Sequence, residues 1–137
     1  MTPLKTSILW ASLVGLFYVG CQTVENDPIL GAEGMWGAEH VELISDSTGI
    51  RIEYDCGHGQ IDGPFVFDIN GRFDLTGSHT REGGPVPSDP PDPVPAQYQG
   101  QIIGNQMKLS VLLTETGDVL GPFILFSGRQ GRLFKCL

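Results

Sequence analysis

From residue 34 onward the apolar positions recur at every second residue, the period of a strand with one buried face. The stretch 50–56 (IRIEYDC) shows it most cleanly: Ile50, Ile52, Tyr54 and Cys56 point one way, Arg51, Glu53 and Asp55 the other. Ahead of it, 34–44 (GMWGAEHVELI) reads as a first strand in which Val41 and Leu43 share a face. Trp36 is out of phase with them, so a bulge near Gly37 is expected. Ser47, Thr48 and Gly49 supply the turn between these two strands.

The segments 65–68 and 72–76 flank Asn70-Gly71. A two-residue turn there sets Phe67 against Asp74 and mixes the faces. A three-residue loop of Ile69, Asn70 and Gly71, with Gly71 left-handed, pairs Phe67 with Phe73 and Phe65 with Leu75, so the apolar face selects the longer turn. Alternation resumes at 96–103, with Tyr98, Gly100 and Ile102 opposite Gln97, Gln99 and Gln101. Gly104-Asn105 is a two-residue turn that sets Ile102 against Met107, and Met107, Leu109, Val111 and Leu113 continue the inward face. After a turn at 116–118, the segment 119–127 (VLGPFILFS) reads as a strand broken by Gly121-Pro122, a bulge or an edge. Residues 128–131 turn the chain into a closing strand at 132–136.

That makes an all-β fold of about eight short strands with no helical periodicity. The expected architecture is a small antiparallel up-and-down barrel spanning 34–137, with a β-sandwich as the alternative. Between the fourth and fifth strands, 81–95 (REGGPVPSDPPDPVP) holds six of the ten prolines, a density no sheet interior tolerates, and reads as an extended surface loop. The inward side chains Trp36, Tyr54, Phe65, Phe67, Phe73, Tyr98, Met107, Leu109 and Phe123 are bulky, which predicts a packed core with at most a shallow mouth.

The first thirty residues follow a different rule. Lys5 precedes an apolar run at 8–19 (ILWASLVGLFYV), too short for a span of about 20 apolar residues but the length of a signal-peptide core. The run ends in Tyr18-Val19-Gly20-Cys21, which resembles the lipobox of bacterial lipoproteins, although Tyr18 stands where that family most often has Leu. The resemblance implies a signal peptide at 1–20, helical if uncleaved, and acylation of Cys21 as the new N-terminus. It also implies a tether at 21–33 and, because Gln22 is not Asp, anchoring in the envelope at the outer membrane. An ordinary secretory cleavage near Gly20, or an uncleaved membrane anchor, are the alternatives.

Three cysteines are an odd number for an exported protein. With Cys21 lipidated, Cys56 and Cys136 remain as a pair, and an oxidising compartment favours a disulfide between them over two unpaired thiols. Closing a loop of about 80 residues contributes about 4 kcal/mol on the chain-entropy view.

Gly34-Met35-Trp36 on the first strand resembles the Gly-x-Trp motif of lipocalins and their calycin relatives. That resemblance implies that Trp36 plugs the barrel end and that Arg132, on the last strand, packs over it. It also implies a carrier of a small hydrophobic molecule as one possible function. The mature chain as a whole resembles small bacterial lipoproteins to which no activity attaches.

Charge and candidate chemistry narrow the choice. The net charge is −8 and every acidic residue follows Val24, which excludes nucleic acid as a partner through charge alone. His40, His58 and His79 are the candidate metal ligands, but their spacings match no ligand motif, and no metal or other cofactor is expected. Cys56-x-His58 would make a thiol–imidazole pair only if Cys56 were free. No Gly-x-Ser-x-Gly elbow or phosphate-cradling glycine loop occurs, and Asp55, Asp62, Asp68 and Asp74 read as strand-surface and turn residues. The expectation is a non-enzymatic, membrane-anchored binding or interaction module. Its partner is a protein, with the Pro-rich loop as a contact, or a small hydrophobic ligand; a histidine metal site is the third reading.

Overall fold

The alternating stretches fold into ten strands, as seen in a computed structural model that describes residues 29–30, 32–83 and 91–136. In chain order they are β1 (Ile29–Leu30), β2 (Gly34–Ala38), β3 (Val41–Ser45), β4 (Gly49–Tyr54), β5 (Gly57–Asp62), β6 (Val66–Phe67), β7 (Arg72–Arg81), β8 (Val94–Ile103), β9 (Gln106–Leu113) and β10 (Val119–Ser127). Eight of them close an antiparallel up-and-down barrel in the order β10-β2-β3-β4-β5-β7-β8-β9, and not a sandwich. The ring shuts because β10 pairs with both β9 and β2, so no strand edge of this sheet is left to attract another chain. No helix occurs among the described residues. Cys21, the signal segment and most of the tether lie outside the described residues.

Strand count and barrel agree with expectation, but three of the expected strands do not. The predicted first strand is a hairpin: β2 and β3 pair from Gly34↔Ser45 to Ala38↔Val41 around Glu39 and His40. His40 takes a positive φ of 71°, which turns the chain without the usual Asn-Gly signature. The phase slip of Trp36 therefore marks a reversal of direction and not a bulge. The stretch from Gly57 onward, where the alternation marks no strand, is strand β5 paired along β4 from Tyr54↔Gly57 to Gly49↔Asp62. Its inward positions are Gly57, Gly59 and Ile61, two of which have no side chain to signal burial.

The expected closing strand at 132–136 is not a strand. After Ser127 the chain doubles back over the outside of β2, with Arg129 and Gly131 crossing Gly37, and makes one parallel bridge between Arg132 and Glu39. The barrel is closed by β10 instead. The 65–68 segment also stays out of the ring: Val66–Phe67 pairs with Ile29–Leu30 in a separate two-stranded sheet. The folded domain thus begins before Gly34, since Ile29–Leu30 pair with β6 and Ala32 is buried.

The turn at 69–71 does form with Gly71 left-handed, but the pairing expected beyond it does not: Phe67 lies opposite Ile29 and not Phe73. Gly71 sits at φ 75°, and backbone bonds close Asp68 onto Gly71 and Arg72, while Asp68 Oδ1 accepts from the amides of Asn70 and Arg72. The hairpin Ile102↔Met107 has the expected register, and the ladder slips between Leu120 and Phe123 at a cis Gly121–Pro122 bulge. The Pro-rich connection is shorter than expected: β7 runs to Arg81 and β8 starts at Val94, with Pro95 opposite Ser78.

The barrel interior is filled through most of its height by Leu43, Ile50, Ile52, Tyr98, Met107, Leu109, Val111 and Leu125. Tyr98, on β8, reaches along the inner wall past β7 toward β5, its hydroxyl donating to the Ser78 carbonyl at 2.6 Å. It fits because residue 59 is glycine, where a Cβ would collide with the Tyr98 hydroxyl. One end is capped. Phe65 packs edge-on against Phe67 and Phe73, and Ser45 Oγ donates to the carbonyl of Ala32, which tucks the incoming chain under the β3–β4 turn. The opposite end, where the β2–β3, β4–β5, β7–β8 and β9–β10 connections gather, is open among the described residues.

Candidate functional site

The open end is a bowl of about 730 Å³. Its apolar wall comes from Val94 at the start of β8, Leu113 at the end of β9, and Leu120 and Phe123 on either side of the β10 bulge. The bulge matters locally, because the slipped register brings Phe123 to within 5.6 Å of the Tyr54 ring. A cavity of 300–1,000 Å³ with an apolar wall and a few polar groups is the ordinary size and make-up of a small-molecule site.

Two polar side chains line its floor, Tyr54 from β4 and His79 from β7, with ring centroids 5.6 Å apart. Both are deeply buried, 6% and 7% exposed respectively. Gly57, on the strand between them, leaves room for the imidazole, as a Cβ there would stand 3.0 Å from His79 Cε1. Their polar atoms Tyr54 Oη and His79 Nδ1 are shut off from the bowl: the Tyr54 hydroxyl lies beside that of Tyr98, and His79 Nδ1 meets no hydrogen-bond partner among the described residues.

Burial pushes the Tyr54 phenol well above its usual range, with the neighbouring Tyr98 hydroxyl adding to the effect. Tyr98 itself is pushed up to about 12, again by burial. Burial, and then the charge of nearby His58, lower the pKa of His79. The floor is therefore uncharged at neutral pH, a phenol O–H beside a neutral imidazole.

The rim carries charge. Asp55, Asp92 and Asp118 face Arg81 and His40 around the opening. His40 Nδ1 lies 2.5 Å from Asp55 Oδ2, and Asp55 Oδ1 accepts the Phe134 amide at 2.7 Å. That amide, opposed by burial and helped by His40 and Lys135, holds the Asp55 carboxyl below its usual range. Outside the rim, Lys135 reaches Glu53 Oε2 at 2.8 Å, the Tyr54 carbonyl at 2.9 Å and Glu82 Oε2 at 3.1 Å. Burial opposes the Lys135 charge, but the two carboxylates outweigh it and raise its pKa. These bonds, with Cys136 N to the Asp55 carbonyl and the Cys56–Cys136 disulfide, strap the C-terminal segment beside the mouth.

The residues singled out in the sequence thus divide. Cys56 and Cys136 are joined, their Cα atoms 5.1 Å apart, which leaves no thiol to partner His58. His58 instead meets Glu82 Oε1 at 2.5 Å. The three histidines all approach the open end, but each has different company. Among the described residues no group of three or more His, Cys, Asp or Glu is placed to hold a metal ion. Trp36 is buried, but Arg132 does not stack on it: its guanidinium lies 5.1 Å from the Phe134 centroid and its side chain is 70% exposed. The reason is that Arg132 belongs to the strapped segment outside the ring.

Tyr54 was legible as an inward residue, whereas His79 was not. Its signal lay in the continuation of the Phe73, Leu75 phase through Gly77 to position 79, and it was lost by ending that strand at Thr76. Compared with known proteins, the chain matches no family profile, no curated protein and no solved structure.

Proposed function

We propose that this protein is a lipid-anchored binding protein of the bacterial envelope that takes a small apolar molecule into the open end of its barrel. The observation that carries the ligand reading is the 730 Å³ bowl at the open end, walled by Val94, Leu113, Leu120 and Phe123. The barrel core beneath is filled, so the ligand occupies the mouth and not the lumen. Pro91 and Asp92, at the end of the Pro-rich connection, border the same bowl, so that connection contributes to ligand contact. The location rests on the apolar run at 8–19 and the Tyr18–Cys21 tetrapeptide, with the acyl chain on Cys21 and the outer membrane as destination. The protein is read as a binder and not an enzyme, with Cys56 and Cys136 joined in the disulfide.

Native mass spectrometry of the protein purified from the producing cells tests the ligand. A non-covalent mass of a few hundred daltons, lost on Leu120→Trp, supports the carrier, and a bare protein or a bound metal ion counts against it. Radioactive palmitate tests the anchor. Label on the natural protein and none on Cys21→Ala is expected; equal labelling of both refutes it.

A further inference from the structure

Resting on the reading of Cys21 as a lipid anchor, we infer that the capped end of the barrel lies against the lipid surface through Ile69 and Ile103, so that the bowl opens away from the bilayer. These are the two most exposed large apolar side chains among the described residues, at 67% and 69%. Ile69 stands on the turn between β6 and β7, and Ile103 ends β8. The two places are bonded to each other: the Ile102 amide donates to the Gly71 carbonyl at 2.8 Å, and Gln101 Nε2 to the Asn70 carbonyl at 3.1 Å. Side chains of this size gain by leaving water, and a lipid interface accepts them without a shaped partner surface.

The anchored chain leads to the same place. β1 runs antiparallel to β6 with Ile29 opposite Phe67, so the chain from Cys21 joins the fold two residues from Ile69. Seven residues lie between Cys21 and Ile29, a length that reaches at most about 25–30 Å fully extended. Strands β7 to β10 have eight to ten residues, and with the usual rise and tilt such a wall is roughly 20–25 Å tall. Pointing the bowl at the bilayer would stretch that chain nearly to its limit, whereas the capped end down uses a fraction of it.

Charge favours the same orientation. The Asp68 carboxylate beside Ile69 is taken up by the amides of Asn70 and Arg72, and the Arg72 side chain is exposed. The opposite rim presents Asp55, Asp92 and Asp118, which an anionic lipid surface repels. The other exposed apolar side chains have polar company: Val119 follows Asp118, Phe134 lies against His40 and Arg132, and Ile44 and Ile124 stand opposite Arg51 and Lys108 on the barrel wall.

Fluorescence quenching on vesicles tests the orientation. The full-length acylated protein is placed on vesicles of phosphatidylethanolamine and phosphatidylglycerol containing a lipid with a nitroxide quencher near its glycerol backbone. Variants Ile69→Cys, Ile103→Cys and, at the open end, Glu115→Cys each carry a polarity-sensitive thiol label. With Cys21 acylated and Cys56 joined to Cys136, the introduced thiol is the one that reacts. Labels at 69 and 103 are expected to shift to the blue and lose most of their emission to the quencher, and the label at 115 to keep both its colour and its intensity. Quenching at 115 and not at 69 or 103 would overturn the inference and turn the bowl toward the lipid. Quenching at none of them, on protein that floats with the vesicles, would overturn the docking and leave the anchor standing. Protein that does not float with the vesicles would remove the anchor reading and this inference with it. Positions 69 and 103 report independently, so the test stays decisive if one variant does not fold.

Discussion

The two ends of the barrel are built on opposite principles. At the capped end Phe65, Phe67 and Phe73 meet edge to face, the chain is tucked under by the Ser45–Ala32 hydrogen bond, and Asp46 accepts from Thr48 and Gly49 to finish the turn. At the open end aromatic and aliphatic side chains line a bowl, and order is imposed from outside by a disulfide and an ion-pair cluster. Stability is concentrated where the core is complete, and binding capacity where it is not. The strap formed by residues 132–136 is the compensation: it holds the open end in shape without filling it.

The largest effect should come from breaking the cap. Phe65→Ala removes a fully buried ring and should cost about 3–5 kcal/mol in urea denaturation, whereas Leu120→Ala on the bowl wall should cost under about 2 kcal/mol. Equal losses would mean that the two ends contribute alike. Next is the strap: the double variant Cys56→Ser, Cys136→Ser should lose about 2–4 kcal/mol, with the loss of hydrogen-exchange protection greatest around the β4–β5 turn and residues 132–136. Uniform loss over the whole barrel would place the disulfide's role elsewhere.

Gly59→Ala should cost about 1–3 kcal/mol, read in the same denaturation experiment, because its methyl group displaces Tyr98 from the Ser78 carbonyl. Tyr54→Phe should cost about 0.5–1.5 kcal/mol, since it removes the hydroxyl that lies beside that of Tyr98. No loss at all would show that the two hydroxyls do not support each other.

The smallest effect is in pH. His79 has its pKa lowered by burial, so the unfolded chain takes up its proton first as pH falls. Its contribution is complete above the ordinary value of 6.5 and is lost between that value and the lowered folded one. Thermal melts of the natural protein should therefore decline below pH 6.5 more steeply than those of His79→Leu. Superimposable profiles would show that the ring stays wet.

How much could be read in advance depended on where side chains report burial. β4, β8 and β9 were legible because each presents one continuous apolar face, Ile50-Ile52-Tyr54 or Met107-Leu109-Val111, to the interior. β5 was illegible because its inward positions include Gly57 and Gly59, and the space is filled by His79 and Tyr98 from other strands. The β2–β3 hairpin was hidden because His40 turns the chain in a conformation usually reserved for glycine or asparagine. Of the site, Tyr54 and Phe123 were visible as inward residues. His79, Leu120 and Val94 were not, since the bowl is made by strand ends brought together only when the ring closes.

Taken alone, the sequence determined that the domain is all-β, where most of its turns lie, and which faces of its regular strands are buried, because alternation and turn chemistry are local properties. It also carried the cysteine arithmetic that leaves Cys56 and Cys136 as a pair. Only the tertiary structure decided that β10 and not the C-terminal segment closes the ring, that Arg132 stacks on Phe134, and that one end is capped while the other stays open. Those outcomes depend on how eight strands share one interior volume, where an absent side chain on one strand is the space that another strand's side chain fills.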